Sequence, residues 1–270
     1  MGFLSPGQVV WFEIGTRDAT AVEKFYAELF GWSFELDLDS SIDGRRYIRI
    51  LAPSAPWPLG AIHENPAGGE QLNLSLLSAD VAADTERLSG LGAEVLVPPT
   101  QVAEVTSFAV LADPLGNLFS LFSRTESANL QDRADATEKY MTESSHAPSP
   151  GSMAWFELGT SDVETTRDFY TRAFGWRFEF DESASGKPYY SILTGMDHPA
   201  GGLYDHGADG PNYLMPGFLA DDVRAQAGVA EKLGATIEYG PASNSEGVVH
   251  ARIADLSGNR FGLVATPTQA

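Results

Sequence analysis

Between Ala19 and Phe30 the apolar side chains fall at Val22, Phe25, Tyr26, Leu29 and Phe30. That i, i+3, i+4, i+7, i+8 spacing gathers them on one face of a helix. Gly31 stops the helix, and Asp18 stands where a short carboxylate can accept free N–H groups of the first turn. Ahead of the helix "VVWFEI" is β-prone; behind it "WSFELDL" alternates, and "RYIRIL" and "LGAIH" predict two more strands. The order is β, α, β, β, β. It recurs at once: "QLNLSLLS" predicts a strand, Val81 to Leu91 a helix ended by Gly92, and "AEVLVP", "TSFAVLAD" and "NLFSLFS" three further strands.

The pattern is then written a second time. "WFEIGTRDATAVEKFYAELFGW" from Trp11 is matched by "WFELGTSDVETTRDFYTRAFGW" from Trp155, with Asp162 in the place of Asp18. Leu91-Gly92-Ala93 is matched by Leu233-Gly234-Ala235, and "ADPLGNLF" by "ADLSGNRF". The chain therefore reads as an α+β protein of four βαβββ units in two tandem modules, residues 1–124 and 151–270. Residues 125–150 form a polar linker ending in "SSHAPSPG", within which 130–141 has the pattern of a helix able to pack across the modules.

Composition narrows the chemistry. With 17 Lys plus Arg against 37 Asp plus Glu, the net charge of −20 opposes nucleic acid and anionic membrane surfaces and favours a cationic small molecule. No cysteine is present, which removes disulfides, thiolate nucleophiles and Cys-ligated zinc. Without a leader-like start or an 18-residue apolar run, the expected location is cytoplasmic.

A βαβββ unit carrying "T-x-D…F-Y…F-G-W" and then "A-D-P-x-G-N-x-F" resembles the vicinal oxygen chelate superfamily of glyoxalase I, extradiol dioxygenases and bleomycin-resistance proteins, and more closely its two-module actinobacterial glyoxalase-like or hydroxylase members. The resemblance implies two curved mixed sheets, each a half-barrel cup around a pocket. It also implies four metal-ligand positions per module. Here they fall on Trp11, Gly60, Leu74 and Ser120, and on Trp155, Gly202, Pro216 and Gly262. None of these offers the imidazole or carboxylate a divalent ion needs, so the expectation is a cup with neither metal nor cofactor.

Strand alternation puts Trp11 and Glu13, and likewise Trp155 and Glu157, on the cup side: an indole face beside a carboxylate. Such a pair suits a flat aromatic ligand bearing a cation. Positions that differ between modules are candidates for specificity: Ile62 against Tyr204, Phe108 against His250, and Phe122, whose counterpart is Val264. His63, His198 and His206 are expected in solvent-exposed turns. The leading expectation is a binding protein for a bulky aromatic natural product or antibiotic, sequestering it or assisting its biosynthesis. The alternatives are a lyase, isomerase, dioxygenase or hydroxylase-type enzyme using Glu13, Glu157 and His250, and an interaction module for a partner enzyme.

Overall fold

The computed structural model describes residues 5–124 and 149–265, apart from 39, 42–43, 54, 56, 67, 103–105 and 185. The helix expected over 130–141 lies outside the described residues. Each half begins with a βαβββ unit: β1 (Val9–Thr16), α1 (Ala19–Phe30), β2 (Ser33–Leu36), β3 (Tyr47–Leu51) and β4 (Gly60–Glu64). A second unit follows: β5 (Gln71–Leu77), α2 (Val81–Ser89), β6 (Glu94–Val102), β7 (Thr106–Ala112) and β8 (Leu118–Arg124). The other half repeats this as β9 (Met153–Thr160), α3 (Val163–Phe174), β10 (Arg177–Phe180), β11 (Tyr189–Leu193) and β12 (Gly201–Asp205), then β13 (Tyr213–Leu219), α4 (Val223–Lys232), β14 (Thr236–Ser243), β15 (Val249–Ala254) and β16 (Arg260–Ala265).

Each half builds one eight-stranded mixed sheet, ordered β2-β3-β4-β1-β5-β8-β7-β6 and β10-β11-β12-β9-β13-β16-β15-β14. The seam is antiparallel, β1 with β5 and β9 with β13, and each of these strands has a parallel neighbour on its other side. The four Asp caps act as their chemistry predicts: Asp18 accepts from the Ala21 N–H, Asp80 from Ala83, Asp162 from Thr165 and Asp222 from Arg224 and Ala225. Helix α2 ends at Ser89, two residues before its expected end, because Gly90 caps it; the left-handed turn comes later, at Gly92 (φ 101°).

The halves share one core, and the repeated aromatic letters build it by exchange. Trp32 of the first half lies 5.1 Å from Phe218 of the second, and Phe30 lies 5.2 Å from Phe218 and 5.9 Å from Phe261. In return Phe169 and Phe174 reach Phe119, at 6.3 and 6.0 Å. Hydrogen bonds repeat the symmetry. The Trp32 indole donates to the Gly151 carbonyl (3.0 Å) and the Trp176 indole to the Gly7 carbonyl (2.8 Å).

The "A-D-x-x-G-N-x-F" turns take part as well. One oxygen of Asp113 accepts the Leu115 and Asn117 N–H groups, and the other accepts the Tyr170 hydroxyl at 3.1 Å. Asp255 does the same for Tyr26 at 3.0 Å. Burial first, then the facing carboxylate, pushes both tyrosines well above the ordinary phenol range, so they remain donors. With the aromatic side chains packed between the halves, each sheet is left with a second face, its cup, away from that core.

Candidate functional site

Register decides which side chains share each concave face. Phe12, Ile14, Phe156 and Leu158 point into the core, so Trp11, Glu13, Trp155 and Glu157 point into the cups. Across β1, Glu13 stands opposite Ala61 on β4 and Asn73 on β5, and Trp11 opposite Ser75, which neighbours Ser120. Phe108 and Phe122 pair with each other on β7 and β8, on the same face as the Val110–Ser120 pair. In the second half Glu157 stands opposite Gly202 and Met215, Trp155 opposite Gly217, and Gly217 beside Gly262. Arg252 and His250 flank this row from β15, and Tyr204 sits on β12 beside Gly159.

Six expected placements need correction. Ile62 is fully buried, paired with Ile14 and Ile48 in the core; the position matching Tyr204 is His63, which lies in β4 with its ring against Gly15 rather than in a turn. Leu74 and Pro216 pair with Phe12 and Phe156 and so face the core, one register position away from the cup residues Ser75 and Gly217. Gly60 also faces the core, its missing Cβ replaced by the Phe12 ring, and Ala61 takes the cup position. His206 is buried, with Nδ1 2.9 Å from the Gly207 carbonyl and its ring stacked on Tyr213; His198 alone of these three is an exposed loop residue.

A tyrosine absent from the sequence-based site donates to the carboxylate in each cup, and in the second it also links the indole to it. Tyr47 donates to Glu13 Oε1 at 2.6 Å. In the second cup the Trp155 indole donates to the Tyr189 hydroxyl (3.2 Å), which donates to Glu157 Oε2 (3.2 Å). Burial, then the adjacent glutamate, raises both phenols well above their usual range, which keeps the proton on the phenol. Tyr47 and Tyr189 occupy matching places in "RRYIRIL" and "KPYYSIL". That correspondence was the available signal.

The cups differ beyond this shared tyrosine–glutamate bond. Glu157 also accepts the Tyr213 hydroxyl at 2.6 Å and the Arg252 guanidinium at 2.9 Å, and Arg252 stacks on Tyr213 (4.6 Å) and Tyr204 (5.3 Å). Glycines make room for the phenols: a Cβ on Gly202 would lie 1.9 Å from the Tyr189 oxygen, and one on Gly159 2.0 Å from the Tyr213 ring. In the first cup the places of Tyr213 and Arg252 are held by Gln71 and Val110. His250 stacks on Tyr239 (5.6 Å, 20°), and the hydrogen bonds of Glu157 go to Tyr189, Tyr213 and Arg252 rather than to it.

Two family models match. Residues 10–122 fit the glyoxalase-like domain, and residues 152–263 fit the glyoxalase/bleomycin resistance protein/dioxygenase superfamily. The chain belongs to that superfamily, as two tandem modules. Among curated proteins it is similar to the anthracycline biosynthesis protein DnrV of Streptomyces peucetius, at 27% identity over 96% of this chain and 94% of that one. Its fold is that of the Mn(II)-bound glyoxalase from Novosphingobium aromaticivorans (TM-score 0.60, 15% identity, 96% of this chain and 82% of that one). It is also that of a variant of homoprotocatechuate 2,3-dioxygenase from B. fuscum (TM-score 0.62, 16% identity, 97% of this chain and 73% of that one).

The fold thus raises the question of a divalent metal, and the cup residues do not fit one. Where the strands converge they present Trp11, Ala61, Ser75 and Ser120 in one cup and Trp155, Gly202, Gly217 and Gly262 in the other. These are indole, methyl, hydroxyl and bare backbone, against the imidazole and carboxylate sets such ions require. Among the described residues no group of three or more His, Asp or Glu side chains is placed to hold a metal ion. Among them, too, no helix is long and apolar enough to cross a membrane.

Proposed function

We propose that the protein binds a planar aromatic small molecule of the natural-product or antibiotic type in its concave cups, without a metal, to sequester it or to assist its biosynthesis. One observation carries this reading: a tryptophan and a tyrosine-bonded glutamate occupy the floor of each cup where metal ligands would have to converge, Trp11 with Tyr47–Glu13 in the first and the Trp155–Tyr189–Glu157 chain in the second. Each floor offers an aromatic surface and a fixed carboxylate, and the Phe108–Phe122 pair adds apolar wall in the first cup. Fold alone would fit an enzyme equally well; the residues favour binding. The similarity to DnrV, whose name places it in anthracycline biosynthesis, supports a polycyclic aromatic as the ligand class.

The reading predicts that planar polycyclic aromatics quench the fluorescence of Trp11 and Trp155 saturably, and that EDTA leaves the titration unchanged. Double replacement of Trp11 and Trp155 by leucine should abolish the quenching signal. Binding measured by equilibrium dialysis should weaken with it, by about tenfold for a lost stacking surface. Failure of every aromatic compound to bind, or loss of binding on chelation, would contradict it.

A further inference from the structure

The two cups carry the same carboxylate in opposite states of neutralisation. Glu157 is enclosed by three donors, one of them the cation Arg252, and the arginine and glutamate side chains are largely withdrawn from solvent (19% and 14% exposed). Glu13 accepts a hydrogen bond from Tyr47, a neutral donor, and Val110 stands where Arg252 stands in the other cup. Arg49, the cation nearest in register, forms an ion pair with Asp37 (2.5 Å).

On the Glu13 face the floor holds further buried oxygens with no hydrogen-bond partner. Asn73, directly opposite Glu13, and Ser120 are each 2% exposed, and neither the Asn73 Oδ1 nor the Ser120 Oγ has a hydrogen-bond partner. A buried acceptor left without a donor is destabilising, so the site is stabilised by whatever supplies one. An uncompensated carboxylate opposite Asn73, with Ser120 on the same face of the sheet, calls for N–H or O–H groups and a positive charge, and Trp11, the next residue on that face of β1, supplies aromatic surface beside it.

We infer that the N-terminal cup is a site for planar aromatic amines in their protonated form, with Glu13 as counter-ion and Asn73 and Ser120 as further acceptors, and that the C-terminal cup, already neutralised by Arg252, is not a cation site. This rests on the aromatic-binding reading above and adds to it which cup is used and by what charge. The chain's net charge of −20 draws the same class of ligand to the surface.

Proflavine, a planar tricyclic cation, and anthracene-9-carboxylate, an anion of similar size, are the probes for isothermal titration calorimetry. Proflavine should bind with a stoichiometry of one and more tightly than the carboxylate. Glu13→Gln should weaken it by about tenfold or more, the scale of one charge-assisted contact. Glu86→Gln, which removes an equal charge from the exposed face of α2, should change it by less than about twofold. Val110→Arg keeps Glu13 and its partner Tyr47 and supplies the missing cation; it should also abolish proflavine binding, with circular dichroism showing both variants folded. If neither probe binds, the aromatic-binding reading falls and this assignment with it. If proflavine binds but ignores both Glu13→Gln and Val110→Arg, or fills two equal sites, the assignment alone is overturned.

Discussion

Replacing Trp176 with alanine is expected to cost about 3–5 kcal/mol of folding stability, the range for removing a large buried aromatic. The indole is 1% exposed, lies 4.7 Å from Tyr170 in a stacked arrangement, and donates to the Gly7 carbonyl at 2.8 Å. The loss falls on both halves, because Gly7 belongs to the first and Trp176 to the second. Urea unfolding should therefore shift as one transition with an unchanged slope, rather than splitting into a weakened and an intact module. Tyr170→Phe, which removes only the hydroxyl that reaches Asp113, should cost about 1.5 kcal/mol in the same assay. A two-step transition for Trp176→Ala would mean that the modules fold separately and that the exchanged aromatics are incidental.

The second large effect is expected inside a cup, from the smallest change. Gly202→Ala would place a methyl 1.9 Å from the Tyr189 oxygen. The phenol must move, and with it go the bond from the Trp155 indole and the bond to Glu157. A forced shift of this kind in a packed site costs about 1–3 kcal/mol. Gly262→Ala is the internal comparison: its Cβ meets nothing nearer than 3.5 Å, so it should stay within about 0.5 kcal/mol of the parent. Chemical denaturation of the two variants measures the difference directly. Equal, small effects would show that the Trp–Tyr–Glu chain is not held as described.

How much of this was readable in the sequence follows from what kind of contact each feature depends on. Helices and strands rest on local periodicity, and the duplicated "F-G-W" and Asp caps made four βαβββ units legible before any contact was known. The reason for those letters was not legible. Tyr26 finds its partner in Asp255 and Trp32 in Gly151, and nothing local says that a helix of one half will be completed by a turn of the other.

Within the cups the limit was register. Alternation along a strand is strict, so an error of one residue exchanges faces; it sent Ile62, Leu74, Pro216 and Gly60 to the wrong side and left His63 in a turn. Trp11, Glu13, Trp155 and Glu157 were placed on the cup side because they lie on long central strands with clear alternation. Tyr47, Tyr189 and Arg252 were missed because a hydrogen bond between strands distant in sequence leaves no mark on spacing. Aligning the two modules residue by residue would have exposed the tyrosine pair, and the Val110–Arg252 difference beside it.

The central claim is that these cups bind an aromatic ligand where other proteins of the fold hold a metal. Native mass spectrometry of the protein incubated with Mn(II), Fe(II), Ni(II) and Zn(II), with and without proflavine, tests it most directly. The account predicts a stoichiometric proflavine adduct, formed equally in EDTA, and no stoichiometric metal adduct. A metal bound one per module, with proflavine binding only when that metal is present, would contradict it.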